Sequence, residues 1–495
     1  LRSRRDIMTR SVLIAGGGSA GWMAAAALSR AFGRRLAVRV LEDPTQVEDT
    51  GVLGPFDATL PSLNGFNASL GLDDQDLIMK AKGTFRLGTV FRSWTRRDHD
   101  YVHPLSEFGG VLDGTPFHHH WLRLKAAGRT APLESFAIAA VAGRAGRFSR
   151  PSDDPRSVTS TMAYGLHVDV AEYVALVKQV ALAAGVQRLE GHLADIERAP
   201  GGEGLAAVVC DDGRRLEADL FIDATGQAGA LISRLGVSRV DYSRWLPADR
   251  ISGTEAPVDS MNPLTEARAL RTGWAWRAPL GMGGAAMRVT ASAFESGDQQ
   301  PATRFSNGRR SSTWIGNCIA IGLAATTLEP LEGSGLHLVQ SGVSKLIGLF
   351  PADRAMAAAA GEYNRLMAAE ADRLRDLIIL HYCANGRKGE PLWDAVRNTA
   401  PPDELAHKIR MFSSRGHISL YDEETFEQPS WIAVFMGQNV VPRRYHPMAD
   451  LTPLDASSAR LERMQAVIDQ AVRVMPTHAD MLARARGQLL PIKAR

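Results

Sequence analysis

The sequence predicts an α/β fold: a nucleotide-binding part built on a mostly parallel sheet, followed by a largely helical part. Three observations carry that expectation. A short apolar run, Ser11 to Ala15, enters Gly16, Gly18 and Gly21 in GxGxxG spacing and then an alanine-rich helix. A second strand-like run, LAVRVLED, ends in Glu42, about twenty residues beyond the last glycine. Much later, a buried-strand pattern at Leu220 to Ile222 runs directly into Asp223, Ala224, Thr225 and Gly226.

Each element has a physical reason. Gly16 permits the tight turn, Gly18 the close approach of a pyrophosphate, and Gly21 the packing of helix on strand. The helix N-terminus offers unpaired N–H groups to phosphates, and Glu42 stands where a carboxylate accepts hydrogen bonds from a ribose. The alternative is an ordinary structural turn, and NAD and FAD are both open at this point. The strand entering Asp223 and Gly226 resembles the returning strand of FAD-dependent monooxygenase-type flavoproteins, which favours FAD. Between these pieces the pattern predicts a helix from about Val170 to Ala184 and a strand near Gln187 to Glu190. A third piece predicts a strand from Trp314 to Ile321, ending in Gly322, then a loop and a helix from Gly335. In flavoproteins of that type this loop and helix end lie against the flavin ring, where the helix end supports negative charge.

Composition excludes several classes. A 495-residue chain with 45% hydrophobic and 22% charged residues is globular, and a net charge of +3 with scattered arginines points away from nucleic acid. Cys210, Cys318 and Cys383 are odd in number and show no CxxC spacing, which fits reduced thiols in a cytoplasm. The basic start leads into an apolar run too short for an export signal, and no run of ~20 apolar residues predicts a membrane span. Met8 is read as the natural start.

Taken together, several motifs resemble one family, the FAD-dependent tryptophan halogenases. GGGSAGWMAAAAL is similar to its nucleotide fingerprint, GWAWRAPL to its Trp-x-Trp-x-Ile-Pro signature, and LEPLEGSGLHLVQSG to its Leu-Glu-Pro-Leu-Glu-Ser-Thr-Gly loop. Weaker likeness in GTFRLGTVFRSW, GTPFHHHWLRL and PSWIAVFMGQNVVPRRYHP extends it over nearly the whole chain. The resemblance implies an FAD-binding Rossmann-like domain of the flavoprotein monooxygenase type with a largely helical substrate-binding module. It places the first over 8–350, with insertions near 61–150 and 236–265, and the second over 351–495. Helical spacing around 350–390, with Gly386 near its end, agrees.

The implied activity is halogenation of an electron-rich aromatic, indole or tryptophan-like, through hypohalous acid made from halide (chloride or bromide), O2 and FADH2. No second dinucleotide fingerprint is visible, so a separate flavin reductase is the expected partner, beside a small aromatic substrate; homodimer formation is left open. On a strand Trp274 and Trp276 share one face. Alone, such a pair reads as sheet-core packing; the resemblance makes it, with Pro279, a rigid wall between flavin and substrate. Glu332 matches the family's catalytic glutamate, which stabilises positive charge on the attacked ring, and the register selects it over Glu329. Ser334 and Gly335 match backbone positions that hold halide. The resemblance also implies cofactor contacts at Ser19, Ala20, Leu193, Asp223, Gly226, Gly322, Leu323 and Leu336.

Some positions depart from the family. Arg86 stands where it has a catalytic lysine; arginine still donates hydrogen bonds but stays protonated, so haloamine chemistry is excluded there. Ala278 replaces the signature isoleucine, and GVLGPFDATLPSL departs from the family's Gly-Glu-Ala-Thr-x-Pro stretch. These departures leave two other readings open, a flavin monooxygenase or oxidase and a flavin-binding protein without halogenation. His118, His119 and His120, read as a strand, alternate faces and converge on no metal.

Overall fold

The computed structural model describes residues 10–45, 49, 51–201, 204–255, 261–295, 301–351 and 356–487; Met8 lies outside them. The chain gathers into two compact units, each from three stretches: 1–82, 168–243 and 303–372 in one, and 83–167, 244–302 and 373–495 in the other.

Unit one holds a six-stranded sheet in the order Trp314–Ile315, Cys318–Ala320, Leu220–Asp223, Arg10–Ala15, Leu36–Glu42, Gln187–Glu190. All neighbours run parallel except the first pair. Val12, Leu13 and Ile14 are fully buried, as parallel strands covered on both faces require. From Arg10–Ala15 the sheet grows to one side through Leu36–Glu42 and to the other through Leu220–Asp223. This is a topological switch point, where α/β sheets open a ligand crevice at their carboxyl ends. Helix Ser19–Phe32 starts there and packs on helix Val170–Ala183. The latter begins where expected because Asp169 caps it, accepting the N–H of Glu172 at 3.1 Å.

One strand expected in this unit is two. The run from Trp314 to Ile321 forms a hairpin, Trp314–Ile315 against Cys318–Ala320. Gly316, at φ 53°, supplies the left-handed turn residue that breaks it.

In unit two the strands Arg250–Glu255, Gly283–Thr290, Gly273–Leu280, Leu264–Leu270, Gly88–Arg92 and Asp100–Pro104 are successive neighbours. Pairing is antiparallel except between Leu264–Leu270 and Gly88–Arg92. Helices Phe117–Ala126, Asp403–Arg415, Gln428–Gly437 and Leu454–Val474 belong to this unit. An aromatic core gathers around Trp94, whose ring meets Phe91, Trp274, Tyr382 and Trp393.

The three histidines correct the strand expectation: His118, His119 and His120 lie in the first turns of helix Phe117–Ala126, all buried. Phe117, Trp121 and Leu124 recur at helical spacing and bury one face. Among the described residues no cluster has metal-site geometry, and no helix is long and apolar enough to cross a membrane.

Candidate active site

The nucleotide cradle in unit one is shaped by glycines that tolerate no side chain. Gly16 has φ 116°, and a Cβ there would stand 2.1 Å from the carbonyl oxygen of Ala224. A Cβ on Gly21 would stand 1.9 Å from the Gly16 oxygen. Gly18 caps helix Ser19–Phe32 without a side-chain bond. The donors at that helix end are met by Asp49, whose carboxylate accepts from the Ser19 N–H at 2.7 Å and the Ser19 hydroxyl at 2.6 Å. The same carboxylate takes the N–H groups of Gly51 and Val52 at 2.7 and 2.9 Å. Gly51 lies close enough that a Cβ would be 2.4 Å from the Ala20 nitrogen. The helix end therefore holds an anion, as its partial positive charge dictates, and its donor set suits a pyrophosphate.

Glu42 stands over the fingerprint loop: a Cβ on Gly17 would be 2.3 Å from its Cγ. Lys178 binds both carboxylate oxygens at 2.8 Å, the Trp22 indole donates at 3.3 Å, and Arg188 pairs with it. Burial pushes this carboxyl up, but the bonds from Lys178 and Arg188 outweigh burial and hold it below its ordinary value.

On the other side of the cradle Asp223 is fully buried and turned into its own loop. It accepts from the Thr225 N–H and hydroxyl at 3.1 and 2.6 Å and from the Leu231 and Ile232 N–H groups at 2.8 Å each. Those donors use its lone pairs, so it shapes the turn rather than presenting a carboxylate to a ligand. The Gly226–Ala228 turn is tied to the Gly322–Ala324 turn by Arg310, which donates to Ala228 at 2.8 Å and to Ala324 at 3.2 Å. Gly322, at φ 66°, brings the second turn against the cradle, where a Cβ would be 2.8 Å from that of Ala20. Leu323 is buried there. Leu193 packs into the core beneath, with Leu41, Leu205 and Cys210.

The loop ahead of helix Gly335–Gly348 buries both Glu329 and Glu332. Glu332 has φ 68° and Gly333 φ 73°, two successive left-handed residues. A glutamate so placed costs on the order of 1 kcal/mol or more, a strain characteristic of functional loops. Gly333 is obligatory, since a Cβ would meet the Ala58 oxygen at 1.7 Å. Ser334 is buried at the helix N-cap. The Leu336 N–H donates to Asp57 at 2.7 Å, and Gly335 is close-packed on Val52. Asp49 and Asp57, from one short stretch, thus serve two helix ends. Neither was legible as a functional residue, because their partners lie elsewhere in the chain.

In unit two Arg86 is 1% exposed on strand Thr84–Arg86, which pairs with Gly165–Asp169. Its Nε donates to Thr265 Oγ1 at 3.1 Å and its Nη2 to Thr89 Oγ1 at 2.9 Å. Thr89 and Thr265 are register partners across parallel strands. His167 continues the chain, with Nε2 2.8 Å from Thr265 Oγ1 and Nδ1 3.0 Å from Thr84 Oγ1, and Thr84 donates to the Pro279 carbonyl at 2.7 Å. Because the Thr84 proton goes to Pro279, His167 donates from Nδ1, and, kept neutral by its surroundings, it accepts at Nε2 from Thr265. Burial first, then the Arg86 charge, push its pKa well down. Arg86 and Pro279, both expected from sequence, are thereby joined through three residues that were not.

Trp274 and Trp276 are fully buried on one face of strand Gly273–Leu280, edge to face at 6.1 Å. Unit two also contains a cavity of about 480 Å³, with Phe108, Phe117 and Tyr421 among its walls and Glu107 and Glu427 at its polar side. Glu424 and Gln428 line it as well, so three aromatic rings stand beside three carboxylates, a lining that suits an aromatic ring carrying hydrogen-bond donors. His118 lines it too, uncharged because burial lowers its pKa to about 4.

The chain matches a family profile described as tryptophan halogenase over residues 11–454. It is 28% identical to tryptophan 6-halogenase SttH of Streptomyces toxytricini, across 96% of this chain and 98% of that protein. Two solved structures superpose with TM-score 0.90 at 34% identity: BrvH, a flavin-dependent halogenase from Brevundimonas sp. BAL3, and Xcc4156, a flavin-dependent halogenase from Xanthomonas campestris. The alignments cover 97% and 98% of this chain, respectively, and 100% of each of those.

Proposed function

The chain belongs to the tryptophan halogenase family, and on that premise we propose that it halogenates an indole-like aromatic by means of hypohalous acid held by Arg86. It is a flavin-dependent halogenase that works with FADH2, O2 and halide and needs reduced flavin from a separate reductase. Bound reduced flavin activates O2 so that halide can be oxidised; the rest falls to the protein.

Ser19 and Ala20 would hold the pyrophosphate at the helix end in place of Asp49, with Gly16, Gly18 and Gly21 giving it room, and Glu42 would accept from a ribose in exchange for one of its present donors, Lys178, Arg188 or Trp22. Gly226, Gly322, Leu323 and Leu336 line the cofactor's path, and the N–H groups at Ser334 and Gly335 hold halide. Trp274 and Trp276 form the wall, which keeps oxygen transfer to the substrate from competing. In the attack the carbon–halogen bond forms as the oxygen–halogen bond breaks; the oxygen leaves as hydroxide, which the proton then lost from the ring converts to water. Arg86 donates a hydrogen bond to that oxygen, and Glu332 stabilises the cationic ring that then loses its proton. The cavity with Phe108, Phe117 and Tyr421 in its lining is proposed to receive the aromatic substrate; Arg86 and Glu332 are not among its lining residues. We place the enzyme in a cytoplasm, in keeping with its three unbridged cysteines.

The observation that carries this reading is the fixed guanidinium. Arg86 is buried, tied to two threonines and backed by a neutral histidine, an arrangement suited to a permanent donor rather than a nucleophile. Mass spectrometry of products tests it, with FAD, a reductase, NADH, oxygen, bromide and a panel of indoles, and with Arg86→Lys in parallel. Brominated indole from the unaltered protein is expected. Hydroxylated product, or bromination only after Arg86→Lys, would overturn it.

A further inference from the structure

Unit two contains another cavity, of about 380 Å³. Leu112, Phe136, Met464 and Ile468 give it an apolar interior, and among the described residues its only charged lining side chains are Arg460 and Arg463. These arginines stand three apart on helix Leu454–Val474 and so share a face. Arg460 is neutralised by Asp113, which accepts from it at 2.6 Å. Arg463 is exposed and has no hydrogen bond or ion pair among the described residues. The rim therefore carries one uncompensated positive charge over an apolar interior that has the volume of a small-ligand site.

The loop from Glu107 to Leu112 separates this cavity from the 480 Å³ one. Phe108, Gly110 and Val111 line the larger, and Gly109 and Leu112 the smaller. Gly109, at φ 56°, donates its N–H to the Phe136 carbonyl at 2.8 Å, and a Cβ there would stand 2.2 Å from the Phe117 ring. Phe117, in the larger cavity, contacts Phe136, in the smaller, at 5.1 Å between ring centres. A ligand pressing on Phe136 and Gly109 therefore acts on the wall that presents Phe108 and Phe117.

We infer that the smaller cavity is a second ligand site, for an aromatic ring system bearing a carboxylate or sulfonate, coupled through this loop to the larger cavity. The apolar interior takes the rings and Arg463 takes the anion. Only the coupling rests on the reading of the larger cavity as the substrate pocket.

The probe is 8-anilinonaphthalene-1-sulfonate, titrated calorimetrically into the full FAD-loaded chain, with uncharged N-phenyl-1-naphthylamine as its control. One-to-one binding of the sulfonate is expected. Arg463→Glu should weaken it roughly tenfold while leaving the neutral amine unaffected. Val467→Trp, at a lining residue 54% exposed, should fill the cavity and abolish binding of both without harming the fold. Sulfonate binding unchanged in Val467→Trp puts the probe elsewhere and overturns the site; equal affinity in Arg463→Glu overturns its choice of an anion. Indole affinity should shift severalfold with the sulfonate bound in the unaltered protein and not in Val467→Trp. An unchanged indole affinity overturns the coupling. If indole fails to bind while the sulfonate still depends on Val467 and Arg463, the substrate-pocket reading fails and the second site stands.

Discussion

His167 Nε2 lies 2.8 Å from Thr265 Oγ1, and through that bond the buried Arg86 is connected to the strand that carries the paired tryptophans. Each group passes a proton bond onward: Arg86 to Thr265, Thr265 to His167, His167 to Thr84, Thr84 to Pro279. Such a fully satisfied buried network fixes geometry because any broken member strands the next.

Thr265→Val removes an acceptor for Arg86 and a donor to His167 while preserving shape. Two buried polar groups lose a partner, so unfolding in denaturant should show a loss of about 2 kcal/mol. Product formation should fall more steeply than FAD affinity, because the network lies on the Arg86 side of the chemistry.

Asp49→Ala should tighten FAD binding severalfold while lowering the stability of the cofactor-free protein by about 1 kcal/mol. The carboxylate on Ser19 competes with an incoming pyrophosphate, yet it caps the helix until then. Flavin fluorescence titration beside thermal unfolding reads both; weaker FAD binding in the variant would show that Asp49 assists the cofactor instead.

Glu332→Gln keeps the side chain's size and removes its charge. FAD binding should persist and halogenated product should drop by about a hundredfold, an electrostatic contribution of the usual size. Gly333→Ala should do worse on both counts, since its methyl would have to displace the Ala58 backbone.

Acid should destabilise the protein through its buried histidines. Burial lowers His118 and His478 to about 4 and His119 to about 3, all beneath their ordinary value of 6.5. The unfolded chain takes up protons first, so the stability these residues contribute is complete above about pH 6.5 and is lost as pH falls toward 4. His118 alone accounts for on the order of 3 kcal/mol of that loss. His118→Gln should flatten the decline of melting temperature between pH 6.5 and 4; an unchanged slope would contradict the assignment.

What the sequence determined by itself is local. The strand, glycines and helix from Ser11 onward need only neighbouring residues to form, and helix Val170–Ala183 announces itself through its capping Asp169. The tryptophans' shared face follows from strand periodicity alone. Where two local patterns competed, sequence reading failed: three successive histidines suggested a strand, but burial of Phe117, Trp121 and Leu124 made a helix. Gly316 likewise cut one apolar run into a hairpin. Tertiary structure alone decided the environment of each functional group. Asp223 looked free for a ligand and is consumed by its own turn, and Asp49 and Asp57 acquire helix ends that begin far from them in sequence or across a loop. Arg86 gains its setting from Thr265 and His167, brought in on other strands. Hydrogen-bond geometry and desolvation depend on which segments meet, and no periodicity in a single stretch encodes that.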